Sequence, residues 1–161
     1  QASTQAEAMR AERPASPYAD QADLAVARAA IEARKFDDAA QRLRTVADGS
    51  KDAELRGIAK SRLARVLIEQ GKFDESLALL DLASAGSFAA QYHDVRGDAF
   101  AGKGDPAAAR REYDAALAAA KDDVRIDTAY FELKRDALPA ATAPAATAPA
   151  ATTPAAGAPG K

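Results

Sequence analysis

The chain has 161 residues, 48% of them apolar but only 6% aromatic, with a net charge of -2 and a pI of about 5.5. Alanine carries much of the apolar share, which favours closely packed helices over a sheet protein rich in Val, Ile, Tyr and Phe. No basic footprint points to nucleic acid, the absence of cysteine excludes disulfides, thiolate zinc and thiol catalysis, and no apolar run approaches the roughly eighteen residues that span a bilayer.

Residues 1–16 are small and polar, with charges at Glu7, Arg10, Glu12 and Arg13. Helix can form there, but no apolar stripe would dock it, so the stretch reads as a flexible linker or a frayed helix. Ser16 followed by Pro17 marks a helix start, serine as N-cap and proline at the first helical position. That helix runs to about Arg34 with Leu24, Ala27, Ala30 and Ile31 on one face, and a second follows over 37–47 through Ala39, Ala40, Leu43 and Val46. Asp48-Gly49-Ser50 breaks the chain. The next pair, about 53–70 and 74–83, holds LARVLIEQGKFDESLALL, in which Gly71 supplies the left-handed conformation that ends a helix cheaply. After Ala85-Gly86-Ser87, a fifth helix at about 88–102 and a sixth at about 106–120 flank Gly104, with Asp105 as N-cap and Pro106 behind it. A seventh, about 123–137, carries Val124, Ile126, Ala129, Tyr130, Leu133 and Ala137. Prolines then recur at 139, 144, 149, 154 and 159, and this Pro/Ala/Thr-rich tail, 139–161, has no bulky residue from which to build a core and is expected to be disordered.

Aligning the turns exposes a repeat. Arg34, Gly71 and Gly104 correspond, at spacings of 37 and 33 residues. Five residues on stand the small Ala39, Ser76 and Ala109; nine on, the large Leu43, Leu80 and Tyr113; twelve on, Val46, Ala83 and Ala116. Seven residues before each turn come Ala27, Ala64 and Gly97, again small. The period and the small/large order match the tetratricopeptide pattern. The expected fold is all-α: a TPR-like right-handed superhelix of three hairpins, about 17–48, 52–84 and 88–120, plus a C-terminal capping helix at about 123–137.

From Ser16-Pro17-Tyr18-Ala19 through Leu138 the chain also resembles the YfgM family, ancillary subunits of the Sec translocon. Leu63-Ala64-Arg65-Val66-Leu67, Gly71-Lys72-Phe73-Asp74, Val95-Arg96-Gly97-Asp98-Ala99, Gly102-Lys103-Gly104-Asp105 and Phe131-Glu132-Leu133-Lys134 carry the resemblance. It implies a protein of the bacterial inner membrane whose repeats face the periplasm, with an N-terminal membrane anchor missing from this chain. The implied partners are translocon channel subunits, a membrane-anchored periplasmic chaperone and newly exported clients. An adaptor for an unrelated envelope or cytoplasmic complex is the second reading, and an enzyme with an unrecognised site the third.

Little in the chain speaks for the third. Gly102-x-Gly104-x-x-Ala107 imitates a dinucleotide fingerprint, but that motif needs a preceding strand and here follows a helical stretch. His93 is the one histidine, too few ligands for a transition metal. Asp37/Asp38 and Asp122/Asp123 stand at helix starts, where carboxylates favour the dipole, and Asp94/Asp98 completes the acidic pairs. No catalytic residue, cofactor or metal site is therefore assigned. Binding is expected on the face formed by the first helix of each hairpin, at Arg28, Ile31, Ser61, Arg65, Ile68, Gln91, Asp94 and Asp98, where apolar residues beside arginines suit a peptide. The competing reading of the same residues is internal: Arg65 paired with Asp98, and Leu24 and Ile31 in the core.

Overall fold

The computed structural model describes residues 2–12, 16–121, 123 and 126–139. Eight α-helices appear among them: α1 (Ala2–Glu12), α2 (Pro17–Glu32), α3 (Phe36–Gly49), α4 (Ala53–Glu69), α5 (Phe73–Leu79), α6 (Ala89–Gly102), α7 (Pro106–Ala120) and α8 (Thr128–Asp136). Each of the pairs α2–α3, α4–α5 and α6–α7 is a hairpin, and α8 packs on α7.

The three turns close in the same way. Arg34, Gly71 and Gly104 take φ values of 58°, 73° and 79°. At each, the next residue's amide donates back across the helix end: Lys35 to the Ala30 carbonyl at 2.8 Å, Lys72 to Leu67 at 2.8 Å, Asp105 to Phe100 at 2.9 Å. These are Schellman closures, which satisfy carbonyls that a helix end would otherwise leave unpaired. Glycine adopts this conformation freely, whereas an L side chain is strained by about 1 kcal/mol. Arg34 alone carries that strain.

Small residues allow the helices within a hairpin to meet. Ala27, Ala39, Ala64, Ser76, Gly97 and Ala109 are all buried, and Leu43, Leu80 and Tyr113 fill the seams. One apolar cluster joins α2, α3 and α4 around Leu43, Val46 and Leu63; a second sets Ala64 and Leu80 against Tyr92 and Val95. A third, Ala90, Ala116, Ala120 and Phe131, holds α8. Gly102 belongs to this packing too: a Cβ there would meet the Phe73 ring at 2.4 Å, so its glycine serves a helix contact.

Three elements differ from the sequence expectation. Within the stretch 1–16, read as a linker, Ala2–Glu12 is helical and packs on α2. It docks through one buried alanine, Ala6, and through ions: Arg10 bridges Asp20 at 2.8 Å and Asp23 at 2.5 Å, and Glu7 pairs with Arg42 of α3. Asp20 and Asp23 are each 1% exposed, so their charges require such partners. Helix α5 stops at Leu79 rather than near residue 83. There Asp81 turns its carboxylate back onto the Ala83 amide at 3.0 Å and starts a 3-10 turn, Leu82–Ser84, so Ala83 is exposed and leaves the repeat pattern. A second 3-10 turn, Gly86–Phe88, sets the Phe88 ring against Gly57. The last helix begins only at Thr128, with the Asp127 carboxylate accepting from the Ala129 amide at 3.1 Å. Asp122, Val124 and the tail beyond Pro139 lie outside the described residues.

Candidate functional site

The predicted binding positions fall on α2, α4 and α6, but the structure gives them unequal roles. Arg28 is exposed and pairs with Glu32 one turn on, at 3.0 Å. Ile31 and Ile68 are half-buried and pack against the first and second clusters. The Ser61 hydroxyl and the Gln91 carbonyl are buried without a hydrogen-bond partner.

Asp94 corrects the expectation of an outward position. It is 1% exposed, with Arg65 on Oδ2 at 2.8 Å and Lys134 on Oδ1 at 2.6 Å. Asp98 takes Lys134 at 2.5 Å and the Tyr113 hydroxyl, which donates to it at 2.8 Å. The Lys134 ammonium also lies 5.2 Å from the centre of the Tyr113 ring and 5.0 Å from that of Tyr130, within cation–π range. Burial, and then the Asp98 charge, pushes the Tyr113 hydroxyl well above its ordinary value, so it stays a donor. The internal alternative thus holds in altered form: Arg65 pairs with Asp94, not Asp98, and Lys134 of α8 closes the row. This lysine was missed because nothing near Lys134 in the sequence connects it with an aspartate forty residues earlier. One signal was available: a capping helix stacked after the third hairpin must set some side chain against the acidic row of α6.

His93 also has a structural partner. Its Nδ1 lies 2.7 Å from Glu112 Oε2, while Arg96 Nε donates to Oε1 at 3.0 Å, tying α6 to α7. Burial opposes ionisation of Glu112, yet the hydrogen bonds from Arg96 and His93 hold its carboxyl below the ordinary value of 4.5. A lowered carboxyl pKa means stability that is present at neutral pH and is lost as pH falls through the lowered value. Glu112→Gln should therefore cost about 1–2 kcal/mol at pH 7. In urea titrations across pH, that deficit should shrink once the pH drops below 4.5; a constant deficit would refute the ionic account.

An open cleft on this face lies between α2 and α4, a space of about 520 Å³. Ile31, Phe36 and Val66 give it an apolar floor, and Arg34, Arg62 and Arg65 stand around it with Glu32 and Glu69. Arg34, Phe36, Arg62 and Val66 were not singled out from the sequence as binding residues. Among the described residues no group of three His, Asp or Glu side chains is placed to hold a metal ion, and no helix is long and apolar enough to cross a membrane.

Stacked helical hairpins whose first helices share one polar-rimmed face define a repeat protein of the docking class. A family model described as a tetratricopeptide repeat-like domain matches residues 1–140, and the chain belongs to that family. It is similar to an ancillary SecYEG translocon subunit of Neisseria gonorrhoeae (strain ATCC 700825 / FA 1090), 31% identical over 125 residues, 78% of this chain and 59% of that protein. It is also similar to the ancillary SecYEG translocon subunit of Escherichia coli (strain K12), 31% identical over 107 residues, 66% of this chain and 50% of that protein. Both relatives support the resemblance to the YfgM family. The chain spans only 59% and 50% of their lengths. No solved structure matches.

Proposed function

We propose that this chain is the protein-docking domain of an ancillary subunit of the Sec translocon, without catalytic activity of its own. The names of the two relatives support the translocon; the repeat fold, with a cleft open beside α4, supports docking. In this reading the domain faces the periplasm from the inner membrane. It holds channel subunits and a membrane-anchored periplasmic chaperone near newly exported chains. The observation that carries the reading is the pairing of that family likeness with an unfilled, arginine-rimmed cleft on the shared face of α2 and α4.

The test is photocrosslinking in intact membranes, with the full-length gene product carrying a photoreactive residue at position 28, 62 or 69, all exposed. Crosslinks to channel subunits are expected from these positions and not from Lys51, an exposed residue between α3 and α4. Channel crosslinks absent from every position would refute the translocon reading. The inner-membrane placement further requires that the gene encode an apolar segment of about twenty residues upstream of Gln1.

A further inference from the structure

The face shared by α2, α4 and α6 is divided chemically. On α6 the carboxylates of Asp94 and Asp98 are occupied by Lys134 of α8. Between α2 and α4 the cleft is unfilled. We infer that this cleft is the docking site for an amphipathic peptide segment of a partner protein, with apolar side chains seated on Ile31, Phe36 and Val66 and carboxylates reaching Arg62, Arg65 and Arg34. The inference rests on the docking function proposed above and names the chemistry of the partner.

Charge complementarity carries it. Of the two acids at the cleft, Glu32 is already paired with Arg28 at 3.0 Å. Arg65 gives one nitrogen to Asp94 at 2.8 Å and keeps 46% of its side chain exposed. Arg62 is exposed and has no hydrogen bond or ion pair among the described residues. One unpaired guanidinium, Arg62, and one half-exposed and singly engaged, Arg65, beside an apolar floor fit carboxylates held at the edge of a buried side-chain row. Glu69, seven residues beyond Arg62 and so about 10 Å along α4, gives the cleft a direction. A carboxylate is favoured near Arg62 and opposed near Glu69.

The second observation is the backbone of Arg34. At the two equivalent turns glycine takes the left-handed conformation without strain, whereas here an arginine holds φ at 58°. Its guanidinium lies 5.5 Å from the centre of the Phe36 ring, on the cleft wall. Strain kept where glycine would remove it points to use of the side chain.

Arg65→Glu is a poor test, because it would set a carboxylate against the buried Asp94. Arg62→Glu breaks no hydrogen bond or ion pair among the described residues and should leave the melting curve unchanged. The probe is a fluorescein-labelled helical peptide of about four turns, with leucines at i, i+3, i+4 and i+7 flanked by glutamates; its partner probe has lysine for every glutamate. With the whole 161-residue chain, the glutamate peptide should bind at least about tenfold tighter than the lysine peptide near 0.1 M salt, and Arg62→Glu should erase or reverse that preference. Equal binding of the two peptides, no binding of either, or an unaltered preference in the variant overturns the inference. So does self-association of the free chain abolished by Arg62→Glu, which would make the exposed Tyr130 and Leu133 of a second copy the occupant. If the peptides fail but position 62 still crosslinks to channel subunits, the ligand class is wrong and the docking function stands. If crosslinks are also lost from the whole face, both fall.

Discussion

Gly97→Ala should lower the stability of the chain by about 3 kcal/mol, near the upper end for overpacking, and Gly97→Leu should prevent α6 and α7 from packing at all. Helix propensity alone gives the opposite sign, since alanine in a helix interior is better than glycine by about 1 kcal/mol. Packing decides the matter. A Cβ at Gly97 would lie 2.3 Å from one Tyr113 ring carbon and 2.6 Å from the next, far inside van der Waals contact. The ring has no cheap retreat: it is buried, its hydroxyl is bonded to Asp98, and the Lys134 ammonium lies over its face. Moving Tyr113 therefore loosens α6, α7 and α8 together. Thermal melting by circular dichroism should show the Ala variant down by roughly 10 °C, taking about 3–4 °C per kcal/mol for a chain of this size. Gly49→Ala is the control, because nothing lies within 4 Å of a Cβ there and its φ is not positive. A Gly97→Ala melting curve matching wild type would refute the claim that this glycine sets the helix approach.

The repeat was legible in the sequence because its signals are local. A turn position needing a left-handed backbone, and small residues at fixed offsets from it, reflect contacts within one hairpin. Aligning Arg34 with Gly71 and Gly104 was enough to place three equivalent backbone conformations, although arginine is not the residue such a turn prefers. Helix α1 was not legible as a docked element, because hydrophobic periodicity is blind to a contact made by Ala6 and the ion pairs of Arg10. The early end of α5 was a local contest in which the Asp81 side chain took an amide from the helix, with Leu77, Leu79 and Leu80 masking the break.

The candidate site was half legible. Counting from the turns put Arg65, Asp94 and Asp98 on one face correctly. Which of them water reaches depends on α8, and no offset within a hairpin encodes that. The cleft residues Arg62 and Phe36 were missed for a related reason: the cleft forms where the end of α2 and the start of α3 face α4 of the next hairpin. Three residues of its lining, Ile31, Phe36 and Val66, belong to three different helices.

Lys134→Met should release α8 and lower stability by about 3 kcal/mol, although it changes one side chain at the end of the fold. Asp94 is 1% exposed and holds two cations, one on each oxygen. Without Lys134 it keeps Arg65 alone, and an incompletely paired buried carboxylate is strongly unfavourable. Asp98 would retain the Tyr113 hydroxyl and can turn toward solvent, so the larger share of the loss falls on Asp94. Against that loss α8 has one buried side chain, Phe131, worth about 2–3 kcal/mol in apolar burial. The two terms are comparable, so detachment of the helix, which would let water reach Asp94, becomes the cheaper response. Hydrogen exchange should then show protection lost across Thr128–Asp136 while Ala53–Glu69 keeps its own. The second site checks the cause. Adding Asp94→Leu to Lys134→Met removes the stranded charge and leaves Arg65 to solvent, which already reaches it. The double variant should be more stable than Lys134→Met alone, with a coupling of about 1–2 kcal/mol. Additive losses, or unchanged exchange in α8, would mean that Phe131 and not the ion row holds the cap.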